Sequence, residues 1–322
     1  MERGPKIAVI GGGTGLSVLL SGLKEYTSNI TAIVTVADDG GSSGRLRQEL
    51  DVLPPGDIRS CLVALADSEP LMSKLFQFRF SEGEGLKGHN FGNLFITAMS
   101  KVAGDFEKAI KQSSRILAIR GRVVPSTLKK VTLVARYKDG NEVVGESEIP
   151  KKNQPIERMR LEPPDPVPTD EATDAIRKAD AIILGPGSLY TSVVPNLLIK
   201  GITDEVVASS ALKIYICNVM TQPGETDNYS ASAHLKVLLD HSGPKTVDYS
   251  IVNNAQIPEH LLDKYKEEGA YPVLPDYDKI RSIGYGVIAG DVINTKDYVR
   301  HDSKKLAKKI IDLIISTRKS RQ

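Results

Sequence analysis

Several short segments of this 322-residue chain combine glycines with side chains suited to phosphate, metal ions or sugar hydroxyls. The first is Gly11-Gly12-Gly13-Thr14-Gly15-Leu16, which lies between an apolar strand predicted at residues 7–10 and a helical pattern of leucines. In such an arrangement the free backbone amides and the positive end of the helix dipole point at one spot. We therefore predict that an anion such as a diphosphate binds to Gly12, Gly13, Thr14 and Gly15.

This run does not match the established nucleotide fingerprints. The dinucleotide pattern would place Leu16 or Val18 where its third glycine belongs, and the lysine of a P-loop is missing. A Walker-type NTPase is excluded on this basis. The alternative to a phosphate site is a turn that only lets the strand and helix pack closely. Three consecutive glycines cost conformational entropy that packing alone does not require, so phosphate binding is favoured.

A second segment, residues 38–45, reads Asp-Asp-Gly-Gly-Ser-Ser-Gly-Arg and directly follows a strand predicted at residues 30–36. If the two strands are parallel neighbours, both loops emerge at the same edge of the sheet. Adjacent carboxylates at that edge suit sugar hydroxyls, or a Mg²⁺ ion that bridges to phosphate oxygens. The alternative is an Asp-Gly turn that caps a helix at residues 45–50. We predict ligand contacts from Asp38, Asp39, Ser42 and Arg45, with the two aspartates also as metal ligands.

Two further polar groups precede apolar helical patterns. Asp57 suits an N-cap, whereas Arg59 is a cation in a first helical turn and needs a partner such as Asp57 or a bound phosphate. His89, Asn90 and Asn93 form a dense group of uncharged hydrogen-bonding side chains suited to sugar or base edges. Asn90 also suits an N-cap. Candidate catalytic residues are Asp38, Asp39, Asp57 and His89, the last as an acid or base.

The strand-then-glycine arrangement recurs in the second half of the chain. Gly185, Pro186, Gly187 and Ser188 follow a buried strand predicted at residues 181–184, with more hydroxyl side chains after them. Amides and hydroxyls there are predicted to hold a second part of a ligand, and a plain turn is the alternative. The loop after the next strand adds Asn218.

The elements that must position these segments alternate between apolar strands and helical patterns. This alternation predicts an α/β protein with a mostly parallel sheet and the polar loops at one edge. Residues 131–137 and 142–149 alternate around an Asp-Gly-Asn turn, which predicts an inserted β-hairpin. The proline-rich residues 150–168 are predicted to form an extended surface connector.

We predict a single domain over residues 1–322, with the hairpin and the proline-rich excursion at residues 122–168 within it. A last strand is predicted at residues 283–293 and a closing helix at residues 304–317. No His or Cys cluster has the spacing of a zinc site. Cys61 and Cys217 lie far apart in apolar sequence, which indicates reduced core thiols.

Composition limits the class of protein further. The chain is 40% hydrophobic and 25% charged with a net charge of +2, and it has no basic stripe interleaved with aromatic residues. Nucleic acid is therefore not expected as a partner. No apolar run is long enough to span a membrane, and the first strand begins too early for a signal peptide, so we predict a cytoplasmic protein. A homo-oligomer is the general expectation, and no protein partner is indicated.

Together the motifs resemble the 2-phospho-L-lactate transferase superfamily, and they occur in order at residues 11–16, 38–45, 55–59, 89–93 and 185–192. Within it the chain is most similar to the bacterial gluconeogenesis factor family, cytoplasmic proteins required for cell shape on gluconeogenic carbon sources. The resemblance implies a Rossmann-like fold with helices on both faces of the sheet. It also implies a nucleotide ligand, of the UDP-N-acetylglucosamine class used in cell-wall synthesis, and ligand contacts from Tyr265 and Arg300.

Three functions from different classes follow. The first is a nucleotide-sugar-binding regulator, favoured because no convincing set of acid, base and nucleophile appears. The second is a Mg²⁺-dependent phosphotransferase, as the superfamily implies, in which Asp38, Asp39 and the metal act with Arg45 or Arg59. The third is an NAD(P) oxidoreductase, which the failed fingerprint disfavours, although a dinucleotide such as NAD fits the same loops.

Overall fold

A computed structural model of the chain describes residues 4–67 and 69–321. The strands are β1 (Ile7–Gly11), β2 (Ile30–Val34), β3 (Arg122–Pro125), β4 (Thr132–Tyr137), β5 (Glu142–Val144), β6 (Ile156–Glu162), β7 (Ala181–Leu184), β8 (Leu212–Ile216), β9 (Tyr249–Asn253), β10 (Gly286–Gly290), β11 (Ile293–Asn294) and β12 (Arg300–His301). The helices are α1 (Gly13–Leu23), α2 (Gly41–Leu50), α3 (Gly56–Leu65), α4 (Pro70–Gln77), α5 (Phe91–Ala103), α6 (Phe106–Ile116), α7 (Asp170–Arg177), α8 (Val194–Leu197), α9 (Lys200–Ala208), α10 (Ala231–Ser242), α11 (Glu259–Glu267), α12 (Tyr277–Ser282) and α13 (Ser303–Arg321).

The central sheet has seven strands in the order β3-β2-β1-β7-β8-β9-β10, and neighbouring strands run parallel. Each residue of β1 is buried, because its apolar side chains are covered on both faces. The chain order reverses at β1, which pairs with β2 on one side and β7 on the other. A parallel sheet opens a crevice at such a reversal, beyond the carboxyl ends of the strands. The predicted α/β class and mostly parallel sheet are confirmed.

Helices cover both faces of this sheet. Helix α1 packs against α3 and against the last helix, α13. Helix α7 packs against α9. The closing helix, predicted at residues 304–317, extends from Ser303 to Arg321. Across the described residues, none of the helices combines the length and the apolar character that a membrane span requires.

Helix α2 begins earlier than predicted. We expected the helix at residues 45–50 with the glycines and serines before it in a loop, but it starts at Gly41. Ser42 and Ser43 are buried in its first turn, which local propensity does not reveal. The Asp38 side chain accepts a hydrogen bond from the Gly40 amide at 2.9 Å and so fixes the entry into this helix.

The excursion between β3 and α7 is a three-stranded antiparallel sheet in the order β5-β4-β6. It differs from the prediction at both ends. Arg122–Pro125 pairs with β2 as an edge of the central sheet, and Ile156–Glu162 pairs with β4 instead of forming an extended connector. A register shift at Arg136 and Tyr137 interrupts the pairing, so the alternation along β6 is imperfect and its strand character was missed.

Tyr137 fixes the segment that follows β5. Its side chain is fully buried, and its hydroxyl donates to the Ile149 carbonyl oxygen at 2.6 Å. The Ile149 amide in turn donates to the Gly145 carbonyl oxygen. These bonds hold residues 145–149 in one conformation, which matters for the site described below.

We expect Tyr137→Phe to lower the free energy of unfolding by about 1–2 kcal/mol, because it leaves a buried carbonyl oxygen without its donor. Urea denaturation measures the change. The control is Tyr26→Phe, at a tyrosine that is 44% exposed, for which we expect a change within about 0.5 kcal/mol. Equal effects of the two substitutions would contradict this account of residues 145–149.

Candidate functional site

The two predicted glycine loops lie in direct contact at the crevice between β1 and β7. A Cβ atom added to Gly15 would lie 2.8 Å from the Pro186 carbonyl oxygen, and one added to Gly187 would lie 3.0 Å from the Gly12 carbonyl oxygen. Side chains at these positions would force the two backbones apart. The first turn of α1 and the loop after β7 therefore share one cleft.

This cleft contains a cavity of about 260 Å³, which we call the first compartment. Its lining includes many of the residues predicted as ligand contacts, namely Thr14, Gly15, Pro186, Gly187, Ser188, Asn218 and Arg300. Amides in the first turn of a helix have no acceptor within that helix, so those of Thr14 and Gly15 are available to an anion. Arg300 adds a guanidinium group from β12, so this compartment suits a phosphate group.

Asp57 caps a different helix from the one predicted. Helix α3 begins at Gly56 with Pro55 as its N-cap, while the Asp57 carboxylate accepts a hydrogen bond from the Gly13 amide at the start of α1. A Cβ atom on Gly12 would lie 2.5 Å from this carboxylate, so the fit requires glycine there. Burial, together with the negative charge of Asp38, raises the pKa of Asp57 to about 6.

The two predicted acidic ligands have different surroundings. Burial raises the pKa of Asp38, which also accepts hydrogen bonds from the Gly40 amide and the Ser43 hydroxyl. The two carboxylate oxygens of Asp39 accept the amides of Glu146 and Ser147, each at 2.9 Å. Asp39 thus fastens the excursion to the sheet edge, and the charge of Asp38 acts on Asp57.

Glu146 joins this acidic group from the excursion. Burial, together with the negative charges of Asp38, Asp39 and Asp57, raises the pKa of Glu146 to about 8. This role of Glu146 is not predictable from the sequence, because the position of Glu146 depends on how the excursion folds. The group therefore concentrates carboxyl groups beside the backbone amides at the start of α1.

We tested whether these residues suit the Mg²⁺ ion that the resemblance implies. Mg²⁺ is commonly held by one or two carboxylates plus the phosphates of a substrate, and Asp38 with Asp57 provides such a pair. Repulsion by Asp38, which adds to the effect of burial on the pKa of Asp57, would be relieved by a bound cation. The residues fit, with Asp57 rather than Asp39 as the partner of Asp38. Residues 4–67 and 69–321 contain no cluster of three or more His, Cys, Asp or Glu side chains placed to hold a metal ion.

Glu225 holds the second glycine loop in shape. It is 5% exposed and accepts hydrogen bonds from the Ser188 hydroxyl at 2.5 Å, the Thr191 hydroxyl and the Tyr190 backbone. Burial raises the pKa of Glu225. The Ser188 proton is therefore engaged within the protein, and the backbone amide of Ser188 is the group left for a ligand. Glu225 lies in the polar loop after β8. This position is the one feature of the sequence that could have identified Glu225 as a site residue.

The uncharged group at residues 89–93 forms an internal network rather than an open surface. Asn90 caps α5 as predicted, by accepting the Asn93 amide at 3.2 Å. His89 is buried and its Nδ1 lies 3.1 Å from the Ser42 hydroxyl oxygen, while burial and the charge of Arg45 lower its pKa. Neutral, enclosed His89 is poorly suited to act as an acid.

The arginines have separate roles in this region. Arg59 donates to Asn93 Oδ1 at 3.0 Å and interacts electrostatically with Asp57, one of the two partners we predicted for it. Arg45 donates to the carbonyl oxygens of Lys87 and Gly85, so it anchors the loop before His89 instead of lining the first compartment.

Tyr265 does not line the first compartment but supports a residue that does. Its hydroxyl donates to the Val299 carbonyl oxygen and accepts the Val299 amide, both at 3.1 Å. Tyr265 thereby positions the strand that carries Arg300, whose guanidinium carbon lies 5.3 Å from the Tyr298 ring centroid. His301, which sequence reasoning did not select, lines the same compartment, and burial lowers its pKa to about 4.

The sheet order and the cleft at its reversal define a Rossmann-like α/β protein with a cleft at the strand ends. The family model for 2-phospho-L-lactate transferase CofD matches residues 7–293. The chain is 51% identical over 315 residues to a Bacillus subtilis protein named gluconeogenesis factor, which covers 98% of this chain and 99% of that protein. The chain therefore belongs to the CofD family, and the predicted resemblance is confirmed.

Other relatives agree with this assignment. A Halalkalibacterium halodurans protein, also named gluconeogenesis factor, is 50% identical over 307 residues, which is 95% of each chain. A crystal structure of a Bacillus halodurans protein superposes with a TM-score of 0.94 at 49% identity and covers 96% of this chain and 99% of that one.

The raised pKa of Glu146 predicts a pH-dependent stability. A carboxyl group whose pKa is higher in the folded than in the unfolded chain binds more protons when folded, so stability falls as pH rises from about 5 to about 8. Glu146→Gln removes the ionisable group that causes this loss of stability. It should raise the melting temperature at pH 8 by several degrees, with little change at pH 5. Differential scanning calorimetry in EDTA measures both.

The control is Glu148→Gln, two residues along the same segment, where the exposed side chain pairs with Lys151. It should leave the pH profile as in the wild type. A Glu146→Gln variant that loses stability between pH 5 and pH 8 as steeply as the wild type would contradict the proximity of Glu146 to Asp38 and Asp57.

Proposed function

We propose that this protein is a cytoplasmic regulator that binds a nucleotide sugar of the UDP-N-acetylglucosamine class and serves cell morphogenesis and cell-wall synthesis during gluconeogenic growth. The observation that carries the proposal is the convergence of two glycine loops on one compartment, with amides of Thr14 and Gly15 and the cation of Arg300 around it. The names of the two relatives support the link to gluconeogenesis.

A binding role is favoured over catalysis because the reactive side chains are already engaged within the protein. The Ser188 hydroxyl donates to Glu225, His89 is bound to Ser42, and Asp39 accepts two amides of the excursion. A general base needs a free lone pair within reach of its substrate. These contacts support a site that recognises its ligand without converting it.

The family match keeps a second function open, a Mg²⁺-dependent phosphotransferase that resembles 2-phospho-L-lactate transferase. The specific observation in its favour is the pair of Asp38 and Asp57 beside the Gly13 amide. When bound, Mg²⁺ would neutralise charge on a transferred phosphoryl group. In this function Asp38 and Asp57 would hold the ion, and the amides of α1 would orient the phosphates.

Isothermal titration calorimetry with UDP-N-acetylglucosamine, NAD and GDP, each with Mg²⁺ and with EDTA, separates the candidates. The regulator binds the UDP-sugar without the metal, and product analysis by chromatography finds the ligand unchanged. The phosphotransferase binds GDP only with Mg²⁺, and Asp38→Asn abolishes this Mg²⁺-dependent binding. Preference for NAD, with hydride exchange from NADH, would instead revive the oxidoreductase.

We expect Arg300→Ala to weaken binding of UDP-N-acetylglucosamine about tenfold or more, because a charge-assisted contact to phosphate is lost. The matched control is Arg281→Ala. Arg281 is also exposed and lies over a tyrosine ring, at 6.0 Å from the Tyr277 centroid, but it does not line the compartment. Equal affinities of the wild type and Arg300→Ala would contradict a phosphate contact from Arg300.

A further inference from the structure

A second cavity of about 330 Å³ adjoins the first compartment and lies over the ends of β8 and β9. Asn218 and Val219 line both, so the two cavities are neighbours along the sheet edge. We call the new cavity the second compartment; its polar lining consists of Asn218, Asn253, Asn254, Gln256 and Glu259. The proposed function assigns nothing to it.

The two compartments differ in charge. Among the described residues that line the first, Arg300 is a cation and no Asp or Glu occurs. Among those that line the second, Glu259 is an anion and no Lys or Arg occurs. A phosphate group is therefore attracted to the first compartment and repelled from the second. The cleft suits a ligand that is anionic at one end and uncharged at the other.

The amide side chains of the second compartment have different amounts of spare hydrogen-bonding capacity. Asn253 is engaged, since its Oδ1 accepts the amides of Ala255 and Val292 and its Nδ2 donates to the Ala255 carbonyl oxygen. Asn254 and Gln256 are exposed, and their side chains make no hydrogen bonds within the described part of the chain. Each primary amide offers both donors and an acceptor, which matches a ring with hydroxyl or imide groups.

We infer that the second compartment receives the uncharged, hydrogen-bonding ring of the ligand, through Asn254 and Gln256, while the diphosphate occupies the first compartment. The inference rests on the proposed function and deepens it. The ring is the sugar or the base of the nucleotide sugar, since both present donors and acceptors at their edges. The apolar side chains of the same lining, among them Leu262, suit a ring face.

The test uses the double variant Asn254→Ala/Gln256→Ala and three probes, inorganic pyrophosphate, UDP and UDP-N-acetylglucosamine, in isothermal titration calorimetry. We expect the variant to bind UDP-N-acetylglucosamine about tenfold or more weakly and to bind pyrophosphate as the wild type does. Unchanged UDP affinity would place the sugar in the second compartment, and an equal loss for UDP would place the base there. Both outcomes support the inference.

Wild-type affinity of the double variant for UDP-N-acetylglucosamine would overturn the inference while the proposed function survives. A wild-type protein that binds none of the probes would end both. The control is Gln112→Ala, an exposed amide on α6 that lines neither compartment, and it should bind all probes normally. Equal melting temperatures of the three proteins would show that lost binding does not reflect lost folding.

Discussion

The contact between two glycine loops is the constraint on which the rest of the site depends. Gly15 lies against the Pro186 carbonyl oxygen, and Gly187 lies against the Gly12 carbonyl oxygen. The sheet makes this contact necessary, because β1 and β7 are hydrogen-bonded neighbours at the point where the chain order reverses. With the loops in contact, amides from distant parts of the chain bound one cavity, and β12 can bring Arg300 to its wall.

The electrostatics of the cleft follow from this convergence. The start of α1 attracts negative charge, and the Asp57 carboxylate accepts the Gly13 amide there. Burial is the largest cause that raises the pKa values of Asp38, Asp57 and Glu146. Repulsion by other carboxylates adds to it, from Asp39 at Asp38, from Asp38 at Asp57, and from all three aspartates at Glu146. Binding of a phosphate, a proton or a cation would therefore each change the net charge around these carboxyl groups. Asp39 holds the excursion beside them, and Glu225 holds the second glycine loop.

Sequence reasoning identified the glycine loops because their signal is local: a buried strand followed at once by glycines. It also named the chemistry of Asp57 correctly, as a cap, but not its partner, since a local rule cannot show that the helix being capped is α1. Glu146 could not be predicted, because contacts between distant parts of the sequence position it: Asp39 accepts its amide, and the Tyr137 hydroxyl holds Ile149 in the same segment. We predicted ligand contacts from Arg45 and Tyr265. In the structure both hydrogen-bond to the backbone instead, Arg45 to the loop before His89 and Tyr265 to Val299, next to Arg300.

A crystal structure of the complex with UDP-N-acetylglucosamine is the most direct test of a phosphate site between the two glycine loops. The expected result is a diphosphate within hydrogen-bonding distance of the Thr14 and Gly15 amides and of the Arg300 guanidinium group. A nucleotide sugar bound elsewhere, or with its phosphates turned to solvent and its base or sugar against the amides of α1, would contradict the site described here.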